Sequence, residues 1–170
     1  MSHLTVTTAR AAEIVGVGYE GLRSYLKRGL GGRAGMLPGF HRPGSNIHDA
    51  SNPRAKWKRF SVPDLCLFRM AKLLINAGFT FEAANSIVSR QDLWSAFARD
   101  RKPVPRLMAI WPPYGDHIIY EPDQMELLKK ALEEAPEVVT LINLGEVHAH
   151  VLAALGSKGS PQADAEQSAA

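Results

Sequence analysis

The side chains best placed to do chemistry are cations. Arg23 and Lys27 stand four residues apart, and Lys56, Lys58 and Arg59 crowd the segment 55–60. On a helix, positions i and i+4 share a face, so Arg23 and Lys27 can present a guanidinium and an ammonium side by side. A guanidinium binds a phosphate or the O6/N7 edge of guanine, and Lys56, Lys58 and Arg59 favour any phosphate backbone through counterion release. The distribution of charge agrees with a polyanion partner. Residues 1–60 hold ten basic side chains against three acidic ones, whereas the whole 170-residue chain carries only +3, so the remainder is acidic. A basic front half on an acidic remainder directs that partner to the front alone.

Other reactive groups are sparse. The single cysteine, Cys66, excludes an internal disulfide and any multi-thiolate metal site; beside Leu65 and Phe68 it reads as a buried, inert thiol. His148 and His150 are separated by one residue, about 200° apart on a helix, and so cannot share a ligand face. His41 and His48 have no thiolate nearby. We expect no metal and no cofactor. Gly-rich phosphate loops, paired catalytic acids and nucleophile motifs are missing from the sequence, and we expect no enzyme. No apolar run nears the roughly 18 residues of a membrane span, and the start MSHLTVTTAR lacks the apolar stretch of a secretory signal. These features lead us to expect a cytoplasmic protein with no membrane partner.

The elements that must position the cations can be read from spacing and punctuation. Thr7 or Thr8 can cap a helix with Ala11, Ala12, Ile14 and Val15 at helical intervals, and Gly16 stops it. A second helix fits residues 19–28, with Leu22, Tyr25 and Leu26 on one face and Gly29 beyond its end. Two short helices joined by a Gly-Val-Gly turn make a helix-turn-helix, whose second helix is offered to a major groove. Residues 29–56 are rich in Gly, Pro, Ser and Asn and form a long loop. It returns through AKWKRF, a basic strand in which Trp57 and Arg59 share one side. For Trp57, core packing and phosphate contact stay open; Tyr25 shares a face with Leu22 and should pack.

Ser61-Val-Pro-Asp64 opens a helix carrying Leu65, Phe68, Leu73 and Ile75 that ends near Ala77-Gly78. Thr80 caps the next, with Phe81, Ala84, Ile87 and Val88, and its run can continue through Leu93, Trp94 and Phe97. Residues 99–105, charged and with two prolines, form the best domain boundary. Beyond them RLMAIW and HIIY read as strands about a Pro-Pro-Tyr-Gly-Asp turn, EPDQMELLKKALEEA as an amphipathic helix, EVVTLINL as a strand and GEVHAHVLAAL as a closing helix.

Four of these pieces, in this order, resemble the winged helix-turn-helix of the MerR-like transcriptional regulators. They are Gly16-Val17; Leu22-Arg23-Ser24-Tyr25 with Gly29-Leu30; Trp57-Lys58-Arg59-Phe60-Ser61 with Asp64-Leu65; and Ala77-Gly78-Phe79-Thr80. The resemblance covers roughly the first half of the chain. It implies that Tyr19, Glu20, Arg23, Lys27 and Arg28 face DNA on or beside the recognition helix, and that Lys58 and Arg59 reach it from the wing, with Lys56 and Trp57 in the same segment. It also implies a bacterial transcriptional regulator that binds double-stranded DNA as a homodimer and bends or untwists a promoter, with RNA polymerase as a further partner. The alternative is an accessory DNA-binding protein for recombination, packaging or plasmid partition on the same fold.

The expected fold is therefore α+β. A winged helix-turn-helix occupies residues 1–98, with an enlarged wing over 29–56, and a small β-β-α-β-α module occupies 105–155. The tail 156–170 has no large apolar residue and is expected to be disordered. For the module we weigh dimerisation, by strand pairing or by the apolar faces of Leu128, Leu132 and Val151, against a small-molecule pocket lined by Trp111, Tyr114, His117 and Tyr120.

Overall fold

In a computed structural model, described over residues 5–30, 59–111, 116–135 and 138–157, the chain is a mixed α+β fold with two small antiparallel sheets. The expected long loop, residues Lys56, Trp57 and Lys58, the turn containing Tyr114 and nearly all of the tail lie outside the described residues.

The first sheet pairs β1 (Thr5–Val6) with β2 (Phe60–Ser61), setting Val6 opposite Phe60. Between them come α1 (Thr8–Val15) and α2 (Tyr19–Lys27). Thr7 caps α1, its Oγ1 accepting from the Arg10 N–H. Gly16 ends α1 at φ 77°, a left-handed conformation that costs glycine nothing, and the N–H groups of Gly16 and Val17 both bond the Ala12 carbonyl. Gly29, at φ 87°, closes α2 in the same way, with the Leu30 N–H on the Tyr25 carbonyl.

The centre of the molecule is α3 (Val62–Asn76). Asp64 accepts from both the N–H and the hydroxyl of Ser61, at 2.8 and 2.6 Å, while its other oxygen accepts from the Trp94 indole N–H at 3.3 Å. A carboxylate that is 1% exposed is thereby hydrogen-bonded on both oxygens. Leu65, Cys66, Leu67, Phe68, Met70, Ala71 and Leu74 are all buried, and a helix apolar on nearly every side must be surrounded. Its neighbours are α1, α4 (Phe81–Val88), α5 (Gln91–Arg99) and α7 (Leu144–Gly156).

The helix after Thr80 does not run on to Phe97. It stops at Val88, Arg90 is extended, and α5 begins at Gln91. At ~100° per residue, one continuous helix would carry Leu93 and Phe97 on the side opposite Ala84, Ile87 and Val88. The break rephases the chain so that both sets are buried.

The second sheet has the order β4-β3-β5, from β3 (Leu107–Trp111), β4 (Asp116–Tyr120) and β5 (Thr140–Asn143). A 3-10 turn at Pro122–Gln124 leads into α6 (Met125–Glu133), which packs on one sheet face through Leu128. The other face, with Met108 and Ile110, joins Leu144, Val147 and Val151 in the same core as α1 and α3. The 99–105 stretch thus lies between two groups of elements that share one core. Its end is pressed against α7, where a Cβ on Gly145 would fall 2.7 Å from the Val104 carbonyl oxygen.

Charge anchors the same junction. Arg106, 7% exposed, binds Asp100 at 2.5 Å and Glu121 at 2.6 Å, and Arg99 holds Glu121 at 2.6 Å. Burial works against the Glu121 charge, but the hydrogen bonds from Arg106 and Arg99 outweigh it and hold the carboxyl below its usual range. His148, buried and edge-on to Phe97, is shifted down by burial above all.

Candidate nucleic-acid interface

The geometry of α2 follows from its sequence pattern. Leu22 is fully buried, with Tyr25 and Leu26 packed beside it, and Tyr25 meets Phe81 at 5.5 Å between ring centroids. Tyr19, Arg23 and Lys27 recur every four residues and occupy an arc of about 80° whose centre lies about 105° round the helix from that of Leu22, Tyr25 and Leu26, so they form the flank beside the buried face. All three are exposed.

Arg23 reaches back to Glu20 at 2.9 Å, and its guanidinium carbon lies 5.6 Å from the Tyr19 ring centroid. The exposed triad is therefore partly preorganised. Tyr19 and Glu20 set the direction of the Arg23 side chain, at a modest energetic cost to any competitor because surface pairs are weak. Among the described residues Lys27 forms no ion pair.

Arg28 is placed differently. It lies ~100° further round than Lys27, its guanidinium stacks 3.8 Å from the Phe81 ring centroid, and its Nη2 donates to Glu82 at 2.8 Å. Glu82 is held below the usual carboxylate range by its own backbone N–H first and by Arg28 next. Arg28 thus serves as a strut between α2 and α4, still half exposed. Arg59 is exposed and directly precedes β2. Leu30 and Phe60, on either side of residues 31–58, are both buried.

The turn that aims α2 is built from distant parts. The last two carbonyls of α1 are answered from outside the helix: Val15 O accepts from Arg69 Nη1 at 2.8 Å, and Ile14 O accepts from His150 Nε2 at 3.2 Å. Lys72 stands by as well, since a Cβ on Gly16 would lie 3.5 Å from its Nζ. Cations there complement the negative end of the α1 dipole. On the first turn of α1, Arg10 pairs with Glu13 and donates to the carbonyls of Ala154 and Ser157 at the end of α7. Sequence reasoning passes over Arg10, Arg69 and Lys72 as candidates. The available signal is that Arg69 and Lys72 are the only cations inside the apolar run 65–75.

The second half departs from its expected sites. Strand register puts Trp111 and Tyr120 on the α6 face of the sheet with Ala109, whereas His117 sits opposite Ile110 on the other face. There the His117 side chain is covered and its Nε2 donates to Asp92 at 2.9 Å. Alternation along the strands therefore prevents Trp111, His117 and Tyr120 from lining one pocket. Leu128 and Val151 are likewise buried in this chain's own core, which removes them from the proposed dimer faces; only Leu132, 39% exposed, still projects. Cys66 is fully buried and its thiol is pushed up, by burial first and by Asp64 next.

No family model matches the chain, and no curated protein matches it. Among the described residues no helix is long and apolar enough to cross a membrane, and no three His, Cys, Asp or Glu side chains gather as a metal site.

Proposed function

We propose that the chain binds double-stranded DNA sequence-specifically through a winged helix-turn-helix and acts as a transcriptional regulator. The observation that carries the reading is the two-sided nature of α2. One face is locked into the core by Leu22, Tyr25 and Leu26, and the flank beside it offers Tyr19, Arg23 and Lys27 to solvent. That is the division of labour a recognition helix needs, with packing fixing its axis while cations read the groove. The Schellman-type end of α1, reinforced by Arg69 and His150, supports a stiff turn before it. Arg59, leaving the insertion next to β2, adds a cation where a wing would rejoin.

A homodimer belongs to the same reading, since paired half-sites multiply the contacts of one short helix. Strand pairing is the surviving route to it. β4 and β5 are both sheet edges, and Ile118 and Leu141 there are 51% and 47% exposed.

The test is a selection of bound duplexes from a random pool with the intact protein, followed by affinity against salt. An enriched, symmetric site whose affinity falls linearly with log salt is the expected result. Failure to retain any duplex at ~50 mM salt, where phosphate contacts are strong, overturns the reading.

A further inference from the structure

A groove of about 450 Å³ lies between α3, β5 and α7, a volume in the range of small-molecule sites. Its α3 wall is the stripe Arg69, Leu73, Ala77, spaced four residues apart and so aligned along one helix face for ~12 Å. The facing wall supplies Ile142 and Val147. The groove is thus mainly apolar along the α3 wall, with Arg69 at one end and Thr140, Asn143, Glu146 and His150 adding polar groups from β5 and α7.

The charge at that end is unbalanced. Among the described residues Arg69 makes no ion pair, and its hydrogen bond to the Val15 carbonyl uses Nη1. A guanidinium has five N–H donors in a planar fork, so Nη2 and Nε keep the geometry that suits a carboxylate. Lys72, near the same turn, adds positive potential. Glu146 lines the groove one helical turn before His150, so a ligand with a second carboxylate would meet like charge.

We propose that this groove binds a small monocarboxylate with an apolar body, its carboxylate on Arg69 and its hydrocarbon along Leu73 and Ala77. The site stands apart from the DNA reading and does not require it. Arg69 and His150, which line the groove, are also the side chains that close the end of α1.

Titration calorimetry of the intact protein with decanoate, decanol and decanedioate tests the site. Decanoate is expected to bind saturably below its aggregation concentration, with the other two at least tenfold weaker. Arg69→Gln should weaken decanoate at least tenfold and leave decanol unchanged, and Ala77→Trp, at an exposed position, should weaken decanoate by obstructing the groove. If Arg69→Gln fails to fold by circular dichroism, Ala77→Trp and the decanol comparison decide. The proposal is overturned if decanoate does not saturate, if decanol binds as tightly as decanoate, or if decanoate binds folded variants as it binds the parent protein.

Discussion

Arg23→Ala should separate binding from folding. The side chain is 45% exposed, and its polar partner is Glu20, itself 77% exposed. An exposed i,i+3 pair of this kind contributes only about 0.3–0.5 kcal/mol to stability, and alanine is the best helix former, so the melting temperature should barely move. On DNA the loss should be far larger. An arginine that reads a guanine edge contributes about 1–3 kcal/mol of discrimination, or roughly 5–150-fold in affinity for the selected site. Fluorescence anisotropy with the selected duplex and a scrambled one, each at two salt concentrations, distinguishes the possible roles. Base reading predicts a loss confined to the selected duplex. Phosphate contact predicts an equal loss on both and a salt slope shallower by about one. Affinities within twofold of the parent on both duplexes, with the fold intact, would refute the assignment of this face to DNA.

Three further outcomes test the frame that holds the face. Arg106→Met leaves Asp100 and Glu121 without their main counter-charge. Because those carboxylates keep 26% and 31% exposure, the cost in urea unfolding should be about 2–3 kcal/mol, less than for a fully buried pair; adding Glu121→Gln should restore part of it, and a neutral single variant would contradict the anchor. Gly145→Ala drives a Cβ into the Val104 carbonyl and should cost about 1–3 kcal/mol, detectable as a lower melting temperature.

Acid should destabilise the fold in two steps. His148 is depressed in the folded state, so as pH falls below about 6.5 the unfolded chain takes up that proton first and stability declines until the folded histidine also titrates. Glu121 is likewise depressed, and its contribution, complete above an unfolded value near 4.5, is lost as pH falls through the folded one. Urea midpoints from pH 7.5 to 2.5 follow both steps, and His148→Phe should flatten the first; an unchanged profile in that variant would assign the loss elsewhere.

Much of this architecture is written locally. Thr7, Gly16, Gly29, Thr80 and the Ser61–Asp64 pair mark helix ends through hydrogen bonds that span five residues or fewer, so spacing alone reveals them. The inward side of α2 is legible for the same reason, because a period of 3.6 sorts Leu22, Tyr25 and Leu26 from Tyr19, Arg23 and Lys27 without reference to any neighbour. Strand alternation already separates His117 from Tyr120.

Other roles depend on residues far away in the chain. Arg28 reads as one more cation of the recognition helix, yet Phe81 and Glu82, more than fifty positions on, draw it into a strut. Arg69 and His150 reach Val15 and Ile14 across 54 and 136 positions, and Arg10 reaches Ser157 across 147. Leu128 and Val151 become core only because α6 and α7 close on the sheet from opposite faces. A helix end or an amphipathic stripe is determined by bonds among near neighbours and survives in the order of letters. The partner of a charge, or the side on which a leucine is covered, is set by which elements meet when the core closes, and that is decided by packing in three dimensions.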